Sequence, residues 1–137
     1  MAVATRRTRA LPEAAVRRVV RAVLAGERRR AALVSVSFVG PVAIRRLNRR
    51  YLGHDSTTDV VSFGWRAPAG ATIGDIYICR AVAAREARAR HIPLREELIR
   101  LVIHGTLHVL GRNHPNGPGR TKSAMWRRQE AYVKALA

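Results

Sequence analysis

Apolar and polar positions along this chain follow two different periods. Over residues 11–25, LPEAAVRRVVRAVLA, the residues Val16, Val19, Val20, Val23 and Leu24 recur at helical spacing, and Gly26 suits a stop. The period then shortens. In ALVSVSFV, residues 32–39, Val34, Val36 and Phe38 alternate with Ser35 and Ser37, which predicts a half-buried strand. Pro41 opens a short helix running through Asn48 and Tyr51, and YLGHDSTTD reads as a loop. DVVSF (59–63) and TIGDIYIC (72–79) predict two further strands around the turn-rich GWRAPAGA. RAVAAREARARH (80–91) predicts a helix with a small-residue side and a basic side, ended by Pro93. Met125, Gln129, Tyr132, Val133 and Leu136 mark one face of a last helix.

The segment 94–111 differs from all of these. After Arg100 it is apolar nearly all round, with Leu101, Val102, Ile103, Leu107, Val109 and Leu110, so it predicts a helix buried at the centre of the fold. The order α-β-α-β-β-α-α-α, without repeats or a linker, predicts a single α/β (α+β) domain over residues 1–137. A small mixed sheet would pack on helices, and residues 1–10 read as a flexible basic arm.

That central helix carries HGTLHVLGRNHP, His104 to Pro115. His104 and His108 lie one turn apart and project from one side. A buried imidazole left without partners loses hydrogen bonds worth about 1–3 kcal/mol, and two on an apolar helix double that demand. A metal meets it, since neutral imidazole is the commonest protein ligand. Gly111 suits a left-handed helix end that returns His114 toward the same point, and Pro115 stops the helix. Three histidines predict one zinc ion with an open position; a closed structural site is disfavoured because Cys79 is the only thiol. Zinc peptidases with this spacing carry a glutamate directly after the first histidine, where this chain has Gly105. The glycine is expected to admit another backbone, or the substrate, beside the metal.

Charge redirects the chemistry. There are 26 basic residues against 9 acidic, a net charge of +17. Such an excess favours a polyanion, because neutralising phosphates releases counterions. A metal-activated water in so basic a chain suits a phosphodiester better than a peptide. No window approaches the roughly 20 apolar residues of a membrane span. The opening MAVATRRTRA lacks the apolar region of a secretory signal, so the expectation is a cytoplasmic protein with no membrane partner. Asp59 is the best acceptor for the second N–H of a ligating histidine, His54 sits in the polar loop, and Trp65 and Trp126 are candidates for base stacking.

HGTLHVLGRNH, together with LNRRYLGHDSTTDVVSF (47–63), GDIYIC (74–79) and a methionine-bearing last helix, resembles the YbeY family of bacterial rRNA maturation endoribonucleases. The resemblance implies a compact α/β domain with one Zn2+ on His104, His108 and His114. It implies single-strand-specific endoribonuclease action in 16S rRNA 3′-end maturation and ribosome quality control. The implied partners are rRNA in the small subunit, ribosomal proteins and an assembly GTPase. The alternative is a non-catalytic, zinc-containing rRNA-binding assembly factor. Its loop motif, Y-R-x-K-D, here reads YLGHD, so Leu52 stands where the family has the arginine thought to serve RNA cleavage. Arg49, Arg50 and His54 are the remaining catalytic candidates, and Arg49, Arg50 and Arg112 the RNA-binding ones. The motif's tyrosine and aspartate become Arg112 and Asn113.

Overall fold

The strand expected at residues 32–39 forms as β2 (Ala32–Val39), and the hairpin after it as β3 (Val60–Arg66) and β4 (Thr72–Cys79). These elements come from a computed structural model that describes residues 2–6, 10–29, 31–111 and 123–137. β4 runs parallel to β2 and antiparallel to β3, and with a strand β1 (Ala2–Arg6) beyond β2 the order is β1-β2-β4-β3. The sheet is therefore small and mixed, as expected. β3 extends three residues beyond the expected Phe63, through Gly64, Trp65 and Arg66, into what reads from sequence as turn. Its partners Gly74, Ile73 and Thr72 continue the ladder, and the turn shrinks to residues 67–71.

One expectation is corrected at the N-terminus. Ala2–Arg6, read as part of an arm, forms β1 and pairs in parallel with β2, from Ala2 opposite Leu33 to Arg6 opposite Ser37. Five residues are too few to display a period of their own, and the free edge of β2 supplies the backbone partners that sequence pattern does not reveal.

The helices are α1 (Glu13–Gly26), α2 (Pro41–Leu47), α3 (Arg80–Ala89), α4 (Leu94–Val109) and α5 (Ala124–Leu136). α2 begins with proline at its first turn and runs on into a π turn, Asn48–Leu52, which Gly53 closes at φ +73°. α4 is central, packing against α1, α3, α5, β3 and β4. Leu98, Ile99, Val102, Ile103 and Leu107 on it are all 0–1% exposed. That all-round burial follows from its apolar sequence. The remaining core joins Val16, Val19, Val20, Val23 and Leu24 of α1 to Val34, Val36, Ile76 and Ile78 of the sheet. A smaller cluster, Ile44, Val61, Cys79 and Val82, fills the space under α2 and α3 on the other side.

Three glycines let α4 lie close to the sheet. Gly64 and Gly74 face each other across β3 and β4, and both abut Val109. A Cβ on Gly105 would come within 2.6 Å of Ile76 Cγ2. Gly105 thus admits neither backbone nor substrate beside a metal, as expected from sequence, but the side chain of Ile76 on the sheet. A residue at this position points into the core.

Candidate metal centre and substrate cleft

His104 and His108 are both half-buried and line one cleft of about 540 Å³. One turn of α4 separates them, and each ring is fixed by a different neighbour. His108 Nδ1 lies 3.0 Å from the Ser62 hydroxyl on β3. Ser62 faces α4 because β3 alternates, and Gly64, two residues on, lets the end of the helix approach. His104 Nδ1 lies 2.8 Å from Oε1 of Gln129 on α5.

The second bond fixes a tautomer. Gln129 Nε2 donates to Glu130 at 3.1 Å, so the amide presents its oxygen, which can only accept, to His104. His104 therefore carries its proton on Nδ1. Glu130 is itself held by Arg100, which donates to both carboxylate oxygens at 3.0 Å and to Glu97 at 3.0 Å. Burial pushes the Glu130 carboxyl up, but hydrogen bonds from Arg100 and Gln129 outweigh it and hold the group below its ordinary range. Glu97 shows the opposite balance: burial dominates its bonds to arginine and its carboxyl is raised. Burial would lower the Arg100 guanidinium too, yet its bonds to Glu130 and Glu97 raise it, so it stays charged. The chain of contacts Arg100–Glu130–Gln129–His104 clamps α5 onto α4 and aims one imidazole.

With Nδ1 of each ring engaged, Nε2 is the atom that would coordinate a metal. Two neutral imidazoles with oriented rings on a polar cleft fit zinc by donor chemistry. Among the described residues, no group of three His, Cys, Asp or Glu side chains is arranged to hold a metal ion. His114, the third expected donor, and Arg112 lie outside the described residues. What precedes them matches expectation: α4 ends at Val109 and Gly111 takes φ +93°, its N–H bonded to His108 O at 2.9 Å.

The far wall of the cleft is the polar loop. Asn48, buried in the π turn, donates to Ser56 O at 3.0 Å and so pins residues 52–58. Leu52, His54, Ser56, Thr57 and Thr58 line the cleft with the two histidines. Arg49 and Arg50 are not among its lining residues; the Arg50 guanidinium instead lies over the Tyr51 ring, 5.4 Å from its centroid. Asp59, expected beside a ligating histidine, is not the acceptor for His104 or His108. Its carboxylate takes a bond from Thr58 at 3.4 Å, and its carbonyl accepts from Cys79 N–H at 2.8 Å. Ser62 and Gln129 occupy the role foreseen for it. Gln129 had a signal in sequence, as a polar residue on an apolar helix face. A second cleft, lined by Asp59, Arg85, Arg90 and Trp126, shares Thr57, Thr58, Val60 and His104 with the first. His91, at a helix end, adopts φ +56° after α3.

Residues 3–137 match the family model described as Endoribonuclease YbeY. Endoribonuclease YbeY of Alkalilimnicola ehrlichii is 43% identical over 109 residues, covering 75% of this chain and 66% of that protein. The chain thus spans just under two thirds of that relative. Endoribonuclease YbeY of Chlorobium phaeovibrioides is 33% identical over 129 residues, 93% of this chain and 84% of the relative. The solution structure of TM1509 from Thermotoga maritima aligns with TM-score 0.63 at 25% identity, over 99% of this chain and 89% of that one.

Proposed function

Because this chain belongs to the Endoribonuclease YbeY family, we propose that it is a metal-dependent endoribonuclease that cuts single-stranded RNA in the maturation of ribosomal RNA. One observation carries the reading: His104 and His108, with Nδ1 engaged by Gln129 and Ser62 respectively, stand on the wall of an open cleft in a chain of net charge +17. In this proposal His104, His108 and His114 hold one zinc ion. When bound, zinc supplies hydroxide at neutral pH and positive charge toward the scissile phosphate. The chain does the rest. Gln129 and Ser62 keep the imidazole rings oriented, and the hydroxyls of Ser56 and Thr57 offer hydrogen bonds to the RNA backbone. The surplus of arginine concentrates RNA at the surface. Among the described residues, no helix is long and apolar enough to cross a membrane. A site of action in the cytoplasm, on small-subunit rRNA with ribosomal proteins and an assembly GTPase, belongs to the same proposal.

Peptide hydrolysis is disfavoured. The position where such enzymes carry their base is Gly105, which faces Ile76. A non-catalytic rRNA-binding assembly factor is the second reading, and Leu52 favours it. This apolar side chain stands on the cleft wall, where the family resemblance calls for arginine. The test uses purified protein and rRNA fragments, with and without a chelator, beside His104→Ala purified identically. Chelator-sensitive cleavage lost in the variant supports the nuclease. Tight, salt-sensitive binding without cleavage supports the assembly factor.

A further inference from the structure

The sheet face turned away from His108 carries an aromatic row that the cleft does not use. β3 alternates, so Ser62 faces α4 while Phe63 and Trp65 emerge on the other side. Tyr51 lies 4.8 Å from Phe63 between ring centroids, Tyr77 6.0 Å, and Trp65 6.5 Å with its plane only 21° from parallel. Tyr51 and Trp65 are each 50% exposed. Arg50 lies over Tyr51. Arg50 forms no ion pair among the described residues, whereas Arg45 nearby is paired with Asp55. Asp75, half-buried in the middle of the face, is hydrogen-bonded to Ser35.

We propose that this face is a stacking platform for the bases of single-stranded RNA, separate from the metal cleft, with Arg50 on a flanking phosphate. The proposal rests on the RNA reading above and adds a second contact surface to it. Exposed rings on a sheet accept unpaired bases of any sequence, and neighbouring guanidinium groups supply the charge such a strand requires. Asp75 would repel phosphate, which orients the bases inward and the backbone toward Arg50. β3 is an edge strand, so one RNA strand can pass from the cleft over that edge onto this face. A second copy of the chain is a poorer occupant: a two-fold contact would set Arg50 against its own copy in a chain already at +17.

The test is anisotropy of a labelled oligouridylate, titrated with the full chain at fixed salt. Trp65→Ala and Tyr51→Ala should each weaken binding about tenfold, Trp65→Phe should retain it, and the salt slope should stay unchanged. A matched RNA duplex should bind Trp65→Ala as it binds wild type, because its bases are not free to stack. Thermal unfolding confirms that each variant is folded. Wild-type affinity for oligouridylate in folded Trp65→Ala would overturn the platform while leaving the RNA reading intact. Failure of the wild type to bind RNA at all would overturn both. A wild-type dimer that Trp65→Ala converts to monomer in sedimentation would overturn the proposal by assigning the face to self-association.

Discussion

Gly74→Ala puts the placement of the histidines to a quantitative test. A Cβ on Gly74 would lie 2.6 Å from Val109 Cγ2 and 2.9 Å from its Cβ, and closer still to Cγ1. Valine is stiff at χ1, so its methyl groups cannot swing clear and the end of α4 must lift instead. Overpacking of this kind costs about 1–3 kcal/mol. Replacing glycine in a strand returns about 0.5–1 kcal/mol through reduced unfolded-state entropy. The clash wins, leaving a net loss of roughly 1–2 kcal/mol, or about 3–8 °C in Tm for a chain of this size. The lift also draws His108, the residue before Val109, away from the Ser62 hydroxyl 3.0 Å from its ring. Metal affinity should therefore fall together with stability. Val109→Ala opens the space, so the double variant should be at least about 1 kcal/mol more stable than the sum of the single effects. Thermal and urea unfolding of all four proteins supply the cycle. Strict additivity, or a Gly74→Ala protein as stable as wild type, would refute the close approach of α4 to the sheet.

Gln129→Ala and Ser62→Ala should each lower zinc affinity about 10- to 100-fold, because each removes the partner that orients a ligating ring; competition with a chromogenic chelator measures it, and wild-type affinity in both would exclude the positioning role. Glu130 is held below its ordinary carboxyl range, so its stabilising contribution is present above pH 4.5 and is lost as pH falls through the lower folded value. Glu130→Gln should accordingly be less stable near neutrality and show a shallower loss below about pH 4.5, read from urea midpoints across pH. Glu97, raised in the fold, has the opposite sign: stability falls as pH rises from 4.5 through its folded value, and Glu97→Gln should remove that slope. Leu52→Arg places a guanidinium on the cleft wall beside both histidines and should increase cleavage of single-stranded RNA at constant zinc content, measured by gel assay.

Much of this fold was legible because its periods are clean. Ser-Val alternation announced β2, the unbroken apolar run announced the burial of α4, and Gly111 announced the end of that helix. The misreadings share a cause: they depend on partners distant in sequence. β1 exists through the edge of β2, and the extra length of β3 through the ladder to β4. Asp59 looked like the acceptor for a histidine because carboxylates suit imidazole. The ring partners are instead Ser62, presented by strand alternation, and Gln129, carried to His104 by the Arg100–Glu130 pair. The role of Gly105 was misjudged for the same reason, since only the packed sheet reveals Ile76 beneath it. The three-histidine spacing itself was plain in the sequence, and the structure adds how the first two rings are held.

The most direct measurement is the metal content of the purified chain, with its affinity for added zinc, compared between wild type and folded His108→Ala. One zinc per wild-type chain, with loss of binding in the variant, is the expected result. A wild-type chain that takes up no divalent metal, or a variant that holds zinc as tightly as wild type, would contradict the centre placed on α4.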